Sequence, residues 1–402
     1  MEVVVTGIGL VSALGMLQTS WQRLIAGESG IRLSQPFREL PPRPLALIGK
    51  TPMYPGAASP GSAFPGGAWE RGTTQDTSAA DLTTLTQLVV TEAIADAGLV
   101  LPLPDAGVAI GSSRAHQASW EQLARQLQED SLMSGAHWLD TLPHMVAHAS
   151  ARTIGSTGPV LAPMAACATG LWAIAQGFHL IQTGQCQRAI AGAVEAPVTP
   201  LTLAGFTRMG ALAATGAYPF DKNREGLVLG EGAAVLVLES ATVARRRGAR
   251  VYGRVLGFGF TNDGYHAIVP ELGGKRAIGA VKQCLERSGL ETADIDYIHA
   301  HGTSTRLNDQ NEAKLIQYLF PQGVPVSSTK GATGHSLGAS GALGVAFCLM
   351  ALQEQLLPPS VGLKAPEFDL DLLMAPRRCQ VRRVLCLSFG FGGQNGAIVL
   401  GK

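Results

Sequence analysis

The chain has 402 residues and a formal net charge of +1, and 46% of it is hydrophobic while only 6% is aromatic. That length allows a large core, as one big domain or two related halves, and the near-zero charge gives no electrostatic case for nucleic acid or an anionic membrane. Six cysteines (Cys167, Cys186, Cys284, Cys348, Cys379, Cys386) are scattered without a CxxC pair, which excludes a zinc pattern and a disulfide framework and points to a reducing compartment.

The first residues, Met1-Glu2-Val3-Val4-Val5-Thr6, read as a strand without a basic leader, so no signal peptide is expected and a cytoplasmic location follows, or a plastid-like stroma for an organellar protein. The strand is expected to end in a glycine turn at Gly7-Ile8-Gly9. Ser12 stands where a dinucleotide loop needs its third glycine, so a plain tight turn is the better reading. Residues 21–26 look helical. Eight of the 23 prolines fall between Pro36 and Pro65, so 32–80 reads as an irregular surface excursion. Helical periodicity returns over 79–97, a buried strand over 106–111 and an exposed helix over 119–127. The longest charge-free run surrounds Cys167. It is long enough to cross a bilayer, but Gly155, Gly158, Pro163, Gly170 and Gln176 interrupt it, and a core strand followed by a core helix is expected instead of a membrane span. Strands follow at 189–193 and 232–238, then a basic helix with Arg245-Arg246-Arg247 on a solvated face. A second strand-and-glycine opening at 250–259 resembles the first. Helices at 276–288, 312–319 and 338–352 then alternate with strands at 297–300, 326–327 and 396–400. This alternation predicts an α/β fold with mostly parallel sheets and a duplicated αβ unit. The predicted halves are 1–240 and 241–402.

Four stretches carry chemistry: Ala166-Cys167-Ala168-Thr169-Gly170, His299-Ala300-His301-Gly302-Thr303-Ser304-Thr305, Lys330 through Thr333-Gly334-His335, and Phe389-Gly390-Phe391-Gly392-Gly393. A cysteine at the first turn of a buried helix meets unpaired N–H groups and the positive end of the helix dipole, which favours thiolate. Histidines in glycine-rich loops after strands are placed to reach a cleft. Metal binding by one cysteine and two histidines is the rival reading. It needs further ligands and acceptors, for which only Asp309 and Glu312 lie near in sequence, and it ranks below nucleophilic catalysis.

With these motifs, Val5-Thr6-Gly7-Ile8-Gly9, the run Pro219-Phe220-Asp221-Lys222-Asn223-Arg224-Glu225-Gly226 and Gly230-Glu231-Gly232, the chain resembles the β-ketoacyl-[acyl carrier protein] synthases of the elongating, Cys-His-His type, over nearly its whole length. The resemblance implies a thiolase-like fold of two duplicated αβ halves in five layers (αβαβα). It also implies a decarboxylating Claisen condensation of an acyl thioester with malonyl-acyl carrier protein, in fatty acid or related lipid and polyketide synthesis. Cys167 would carry the acyl group, and the N–H groups of Cys167 and Phe391 would form an oxyanion hole, with Phe391 as gate. His301 and His335 would stabilise the enolate, Lys330 would tune them, and Thr303 and Thr305 would hold phosphopantetheine. Implied partners are an acyl carrier protein, acyl and malonyl thioesters and a second copy of the chain, for which the Gly/Ala-rich strand edge at 189–193 is suited. No metal or organic cofactor is implied. Asp221, Arg224 and Glu231 would form one buried ion-pair network. The alternative is a partner subunit of the chain-length-factor kind, which lacks the nucleophile; a cleaving thiolase would need a second cysteine in the glycine-rich loop at 390–393.

Three departures stand out. His299, Gly344, Cys386 and Leu387 replace the oxygen-bearing residues with which relatives hold a monovalent cation, so none is expected here. Arg114, in Gly111-Ser112-Ser113-Arg114-Ala115, replaces a glycine or apolar residue lining the acyl tunnel. It is expected to bind substrate, shortening or redirecting that tunnel, and to pair with an acid. Relatives present basic residues just ahead of the helix at Asp81, but 72–77 has none here and only Arg71 lies close, so carrier docking is expected to use Arg71, Arg38, Arg43 or Arg208, or to be weak.

Overall fold

The computed structural model describes residues 1–49, 81–129, 135–271 and 273–402. Arg71 and most of the proline-rich excursion lie outside the described residues; its first part, 32–45, forms the antiparallel pair Arg32–Ser34 and Arg43–Leu45.

The strands along the main path of the large sheet are β1 (Val3–Ser12), β2 (Gly107–Gly111), β3 (Val160–Leu161), β4 (Arg188–Glu195), β5 (Gly232–Ser240), β6 (Gly253–Asn262), β7 (Tyr297–His299), β8 (Pro325–Ser327), β9 (Asp371–Leu372), β10 (Arg383–Gly390) and β11 (Gln394–Gly401). Their order along the hydrogen-bonded path is β9-β8-β7-β10-β11-β6-β1-β5-β4-β2-β3. In each half two strands run parallel to a third (β2 with β3 and β4; β7 with β8 and β10), and two more return antiparallel (β5 and β1; β11 and β6). The sheets are therefore mixed, not mostly parallel. β10 and β11 are joined by a short loop and β4 and β5 by the long segment 196–231, and both pairs are antiparallel. The halves meet where Val4 and Val5 pair with Arg254 and Gly253.

Helices complete five layers, the thiolase-like arrangement. Leu82–Asp96 (α1) and Met145–Ile154 (α2) cover the first sheet, Thr169–Gln182 (α3) and Ser340–Glu354 (α6) lie in the middle, and Lys275–Ser288 (α4) and Arg306–Leu319 (α5) cover the second. Asp81 caps α1, its carboxylate accepting the Thr84 N–H at 2.7 Å. The central helices cross where Gly170 faces Ala342, a contact that leaves no room for a side chain. Ser340 to Leu352 is buried on all sides. The stretch Leu337–Glu354 is long and apolar enough to cross a membrane, and 89% of it is buried inside the protein as a core helix.

The two similar openings are one device used twice. The strand does not turn at Gly7 and Gly9; it continues, fully buried, to Ser12. A Cβ on Gly7 would sit 2.3 Å from Ala93 O, and one on Gly9 1.8 Å from Val89 O, so the glycines let α1 lie directly on β1. Gly257 and Gly259 do the same for α4, with Ala280 O 1.9 Å from a Cβ on Gly259.

Two further expectations change. Strand β4 lies inside the sheet between β2 and β5, so it offers no edge to a partner; β3 is the terminal strand. Asp221, Arg224 and Glu231 are all buried, and no side-chain ion pair joins Asp221 to Arg224 among the described residues. Arg224 pairs with Glu367 and lies 3.7 Å from Asp309, while Asp221 accepts the N–H groups of Asn223, Lys364 and Ala365. Glu231 accepts the Ile48 N–H at 2.9 Å. Three converging main-chain donors hold the Asp221 carboxylate, leaving Arg224 to acids on other segments.

Candidate active site

Cys167 stands two residues before α3, on a tight elbow. Ala166 has φ 47°, a left-handed conformation that costs a residue with a Cβ about 1 kcal/mol or more. Thr169 holds the elbow, its hydroxyl donating to Ala166 O at 2.7 Å and accepting the Ala165 N–H at 2.9 Å; the Ser388 hydroxyl donates to Cys167 O at 2.8 Å. The Phe391 main-chain N–H points at the sulfur. Gly390 permits this approach, because a Cβ there would lie 3.0 Å from Cys167 N.

His301 follows the end of β7. Its N–H and that of Gly302 donate to Glu312 on α5 at 2.6 and 2.7 Å, and Asp309 accepts the N–H groups of Ser304 and Phe220. Lys330, at the start of a short helix after β8, donates to His301 O and places Nζ 3.4 Å from His301 Nδ1. An ammonium only donates, so His301 Nδ1 carries the lone pair and Nε2 the proton. His335 is anchored by its N–H to Val228 O at 2.7 Å and by Nδ1 to Ser340 Oγ at 2.8 Å. The two imidazoles stand 5.3 Å apart, nearly perpendicular, and the Cys167 sulfur and one nitrogen of each lie within 4.8 Å of one another. These groups sit in a cavity of about 320 Å³ that also takes in Thr303, Thr305 and Phe391. The Thr303 and Thr305 hydroxyls are 2.8 Å apart. A larger open depression, about 600 Å³ beside Pro104 and Gln187, holds none of them.

Burial decides the charge states. It pushes the Cys167 thiol up to about 11, and the opposing pull of Lys330, the Phe391 N–H and Arg114 does not overcome it. Burial of Cys167, whose residue is 6% exposed, therefore favours the thiol at rest, against the thiolate expected from the helix terminus. Burial, and next Lys330, hold His301 and His335 well below the usual imidazole range, so both are neutral. Burial also lowers Lys330 and raises Asp309 to about 6 and Glu312 to about 7. Cys167, His301 and His335 have the donor types of a soft-metal site, but a buried ammonium against His301 opposes a cation there.

At the positions that depart from relatives, His299 stacks into the space left by Gly344. Its Nε2 lies 3.2 Å from Thr329 Oγ1 and its Nδ1 3.8 Å from Cys386 Sγ. A hydrogen bond with Cys348, and after it His299, pulls the Cys386 thiol down to about 5. Arg114 makes no ion pair among the described residues. Its guanidinium lies 5.9 Å over the Phe206 ring, and its N–H donates to Glu195 at 2.9 Å. Glu195, the acid that the Arg114 main chain meets, is already occupied by the hydroxyls of Ser112 and Ser113 and the N–H groups of Ser113, Arg114 and Gly338. Sequence reasoning missed Glu195, and it saw Asp309 and Glu312 only as potential metal ligands. The signal for Glu195 was a lone acid in an apolar strand; for the pair it was two acids spaced three apart on the helix following the His301 loop.

Comparisons with known proteins agree with this geometry. Profiles described as the Beta-ketoacyl synthase N-terminal and C-terminal domains match residues 1–244 and 252–364. The 3-oxoacyl-[acyl-carrier-protein] synthase 2 of Staphylococcus aureus (strain COL) is 31% identical, over 100% of this chain and 98% of that protein. A putative mitochondrial 3-oxoacyl-[acyl-carrier-protein] synthase of Schizosaccharomyces pombe is 32% identical, over 100% and 99%. Among solved structures, a type II PKS ketosynthase in complex with its acyl-carrier protein superposes with a TM-score of 0.87 at 25% identity, over 100% of this chain and 99% of that one. A beta-ketoacyl synthase from Burkholderia phymatum gives 0.83 at 27%, over the same shares.

Proposed function

This chain belongs to the β-ketoacyl synthase family and is an elongating condensing enzyme, and we propose that Cys167, His301 and His335 carry its reaction. The observation behind this is their convergence within 4.8 Å at the base of one cavity. In the first half-reaction the Cys167 sulfur attacks an acyl thioester carbonyl. The oxyanion is met by the N–H groups of Cys167 and Phe391. The carrier thiolate leaves and takes up the proton that the Cys167 thiol gives up. In the second, the Nε2–H of His301 and a donor on His335 hold the malonyl thioester oxygen. The bond to the carboxylate breaks, carbon dioxide departs, and the electron pair becomes an enolate. Its α-carbon attacks the acyl-Cys167 carbonyl, a carbon–carbon bond forms, and the Cys167 sulfur is released as the leaving group. Neutral imidazoles suit this step, since they donate to a developing oxyanion without protonating the enolate carbon. Lys330 fixes the His301 tautomer. No metal or organic cofactor enters these steps, and the thiol, imidazole and glycine at 386, 299 and 344 supply none of the carboxylate oxygens a hard cation needs.

Thr303 and Thr305 line the cavity where a phosphopantetheine arm would enter, beside the exposed Arg208–Met209 end of a helix and Arg306. These arginines are the carrier-docking charges, met by an acidic carrier protein. The assembly is a homodimer, supported by the terminal strand β3, where Val160 is 43% and nearby Met164 65% exposed. The partner-subunit alternative is disfavoured because the nucleophile and both histidines are present and assembled.

The test is intact-mass spectrometry of the protein with acyl-carrier protein and then malonyl-carrier protein, with Cys167→Ala as control. An acyl adduct that is consumed to a longer ketoacyl product is expected. An unmodified protein at every chain length would overturn the assignment.

A further inference from the structure

Cys167 has two sides. Toward the surface lies the cavity with Thr303 and Thr305. Inward, the sulfur packs in an apolar cluster with Val198, Leu203, Phe206 and Leu337, all buried, of which Phe206 also lines that cavity. An acyl group on the sulfur must share the cavity with an incoming second thioester, and the wall formed by Phe206, Ala211 and Leu227 is the apolar side left to it.

The cluster ends in a charge. Phe206 stacks with Phe391, ring centroids 6.0 Å apart, and the Arg114 guanidinium lies 5.9 Å from the Phe206 centroid. Arg114 also contributes to drawing the Cys167 thiol down, so its charge is felt at the sulfur. The residue is held in place firmly. It follows the end of β2, with its N–H on the buried Glu195 carboxylate and the next N–H, of Ala115, on Ser112 Oγ at 2.9 Å. Ala115 takes φ 48°, a left-handed turn that this anchoring sustains. The guanidinium itself is exposed in the single chain and has no acid partner among the described residues.

A plain alkyl chain running past Phe206 gains only apolar contact and displaces water from the guanidinium. A chain bearing an acceptor oxygen there gains a charge-assisted hydrogen bond. Resting on the acyl-Cys167 reading above, we propose that Arg114 reads the far end of the acyl group and selects chains that carry a carbonyl or carboxylate oxygen over plain alkyl chains of equal length.

The experiment compares acylation of Cys167 by the N-acetylcysteamine thioesters of pentanoate, levulinate and glutarate, followed by intact mass on the wild type, Arg114→Leu and Arg114→Lys. The oxygenated probes are expected to acylate the wild type about tenfold faster than pentanoyl, the worth of one charge-assisted hydrogen bond. Levulinoyl against glutaryl tells a keto oxygen from a carboxylate. In Arg114→Leu the preference disappears and the three probes acylate at one common rate, with an unchanged urea midpoint showing that the variant is folded. Arg114→Lys keeps a preference for glutaryl. Equal rates for all three probes on the wild type, or a preference that survives Arg114→Leu, overturn the proposal and leave the condensing assignment standing. No adduct from any probe on the wild type overturns the acyl-Cys167 reading and this proposal with it.

Discussion

The resting state of Cys167 makes a sharp prediction, because two physical effects oppose each other there. A helix N-terminus lowers a thiol, and burial raises it. Among the groups around Cys167 burial is the largest influence, and it carries the thiol from 9.0 to about 11. Two pKa units are about 2.7 kcal/mol against the thiolate. At pH 7 only about one sulfur in ten thousand is ionised, about a hundredfold fewer than in an unperturbed cysteine. A more basic sulfur is intrinsically more nucleophilic, by about eightfold over two units. The net expectation is iodoacetamide alkylation about tenfold slower than free cysteine at pH 7. The sign with pH follows directly: thiolate accumulates as pH rises toward the raised value, so the rate climbs about tenfold per unit up to near pH 11. Lys330→Met removes the largest charge favouring the thiolate and slows alkylation further. The assay is timed alkylation read by peptide mass, with Cys167→Ser as the background from the half-buried Cys379. A rate that is flat with pH above 7 would refute the reasoning, since it would mean that the helix end and Lys330 outweigh desolvation.

Other outcomes follow from the same contacts. His301→Ala removes one donor to the enolate oxygen and should slow malonyl decarboxylation about 10²–10³-fold, while acylation of Cys167 changes only a few-fold; both are read by mass spectrometry. Gly9→Ala and Gly259→Ala each force a Cβ to within 2 Å of a helix carbonyl. Each should therefore lower stability by about 1–3 kcal/mol or more, seen as a lower urea midpoint of similar size in both halves. Glu312→Ala leaves the His301 and Gly302 N–H groups without their acceptor. It should cost about 1–3 kcal/mol and slow decarboxylation more than acylation.

How far the sequence could be read depended on whether a residue's meaning was local. Cys167 before an apolar helix, and histidines after strands, are local signals, and the structure brings Cys167, His301 and His335 together at one cavity. The duplication was visible in the two openings at Val3 and Val251, but their purpose was not. A Gly-x-Gly in a strand looks like a turn until the helix that lies on it is known, and that helix comes about 80 residues later for Gly9 and 20 later for Gly259. The charge state of Cys167 is hard to read for a related reason. The helix terminus is written in neighbouring residues, whereas the burial comes from segments as distant as Leu337 and Phe391. The same holds for Arg224, whose acid partners Asp309 and Glu367 lie far along the chain from the motif that suggested Asp221.

The replacements at 299, 344 and 386 are best understood as one packing event, and this can be tested. His299 and Cys386 are paired across β7 and β10, and both fill the space beside Gly344 in α6. A Cβ on Gly344 would lie 2.8 Å from His299 Cε1 and 3.0 Å from Cys386 Sγ. At an open helix position Gly→Ala stabilises by about 0.5–1 kcal/mol. Here the inserted methyl meets an imidazole that is 2% exposed and held by Thr329, and overpacking of this kind costs about 1–3 kcal/mol. The clash should exceed the helix-propensity gain, so Gly344→Ala is expected to be net destabilising. His299→Asn alone is also destabilising, because it vacates a filled site. Together they should cost less than their sum, by about 0.5–3 kcal/mol, since the smaller side chain makes room for the methyl. Urea unfolding of the four proteins in this cycle measures the difference. Strict additivity would mean that Gly344 is not a glycine because of His299, and that the three replacements are independent.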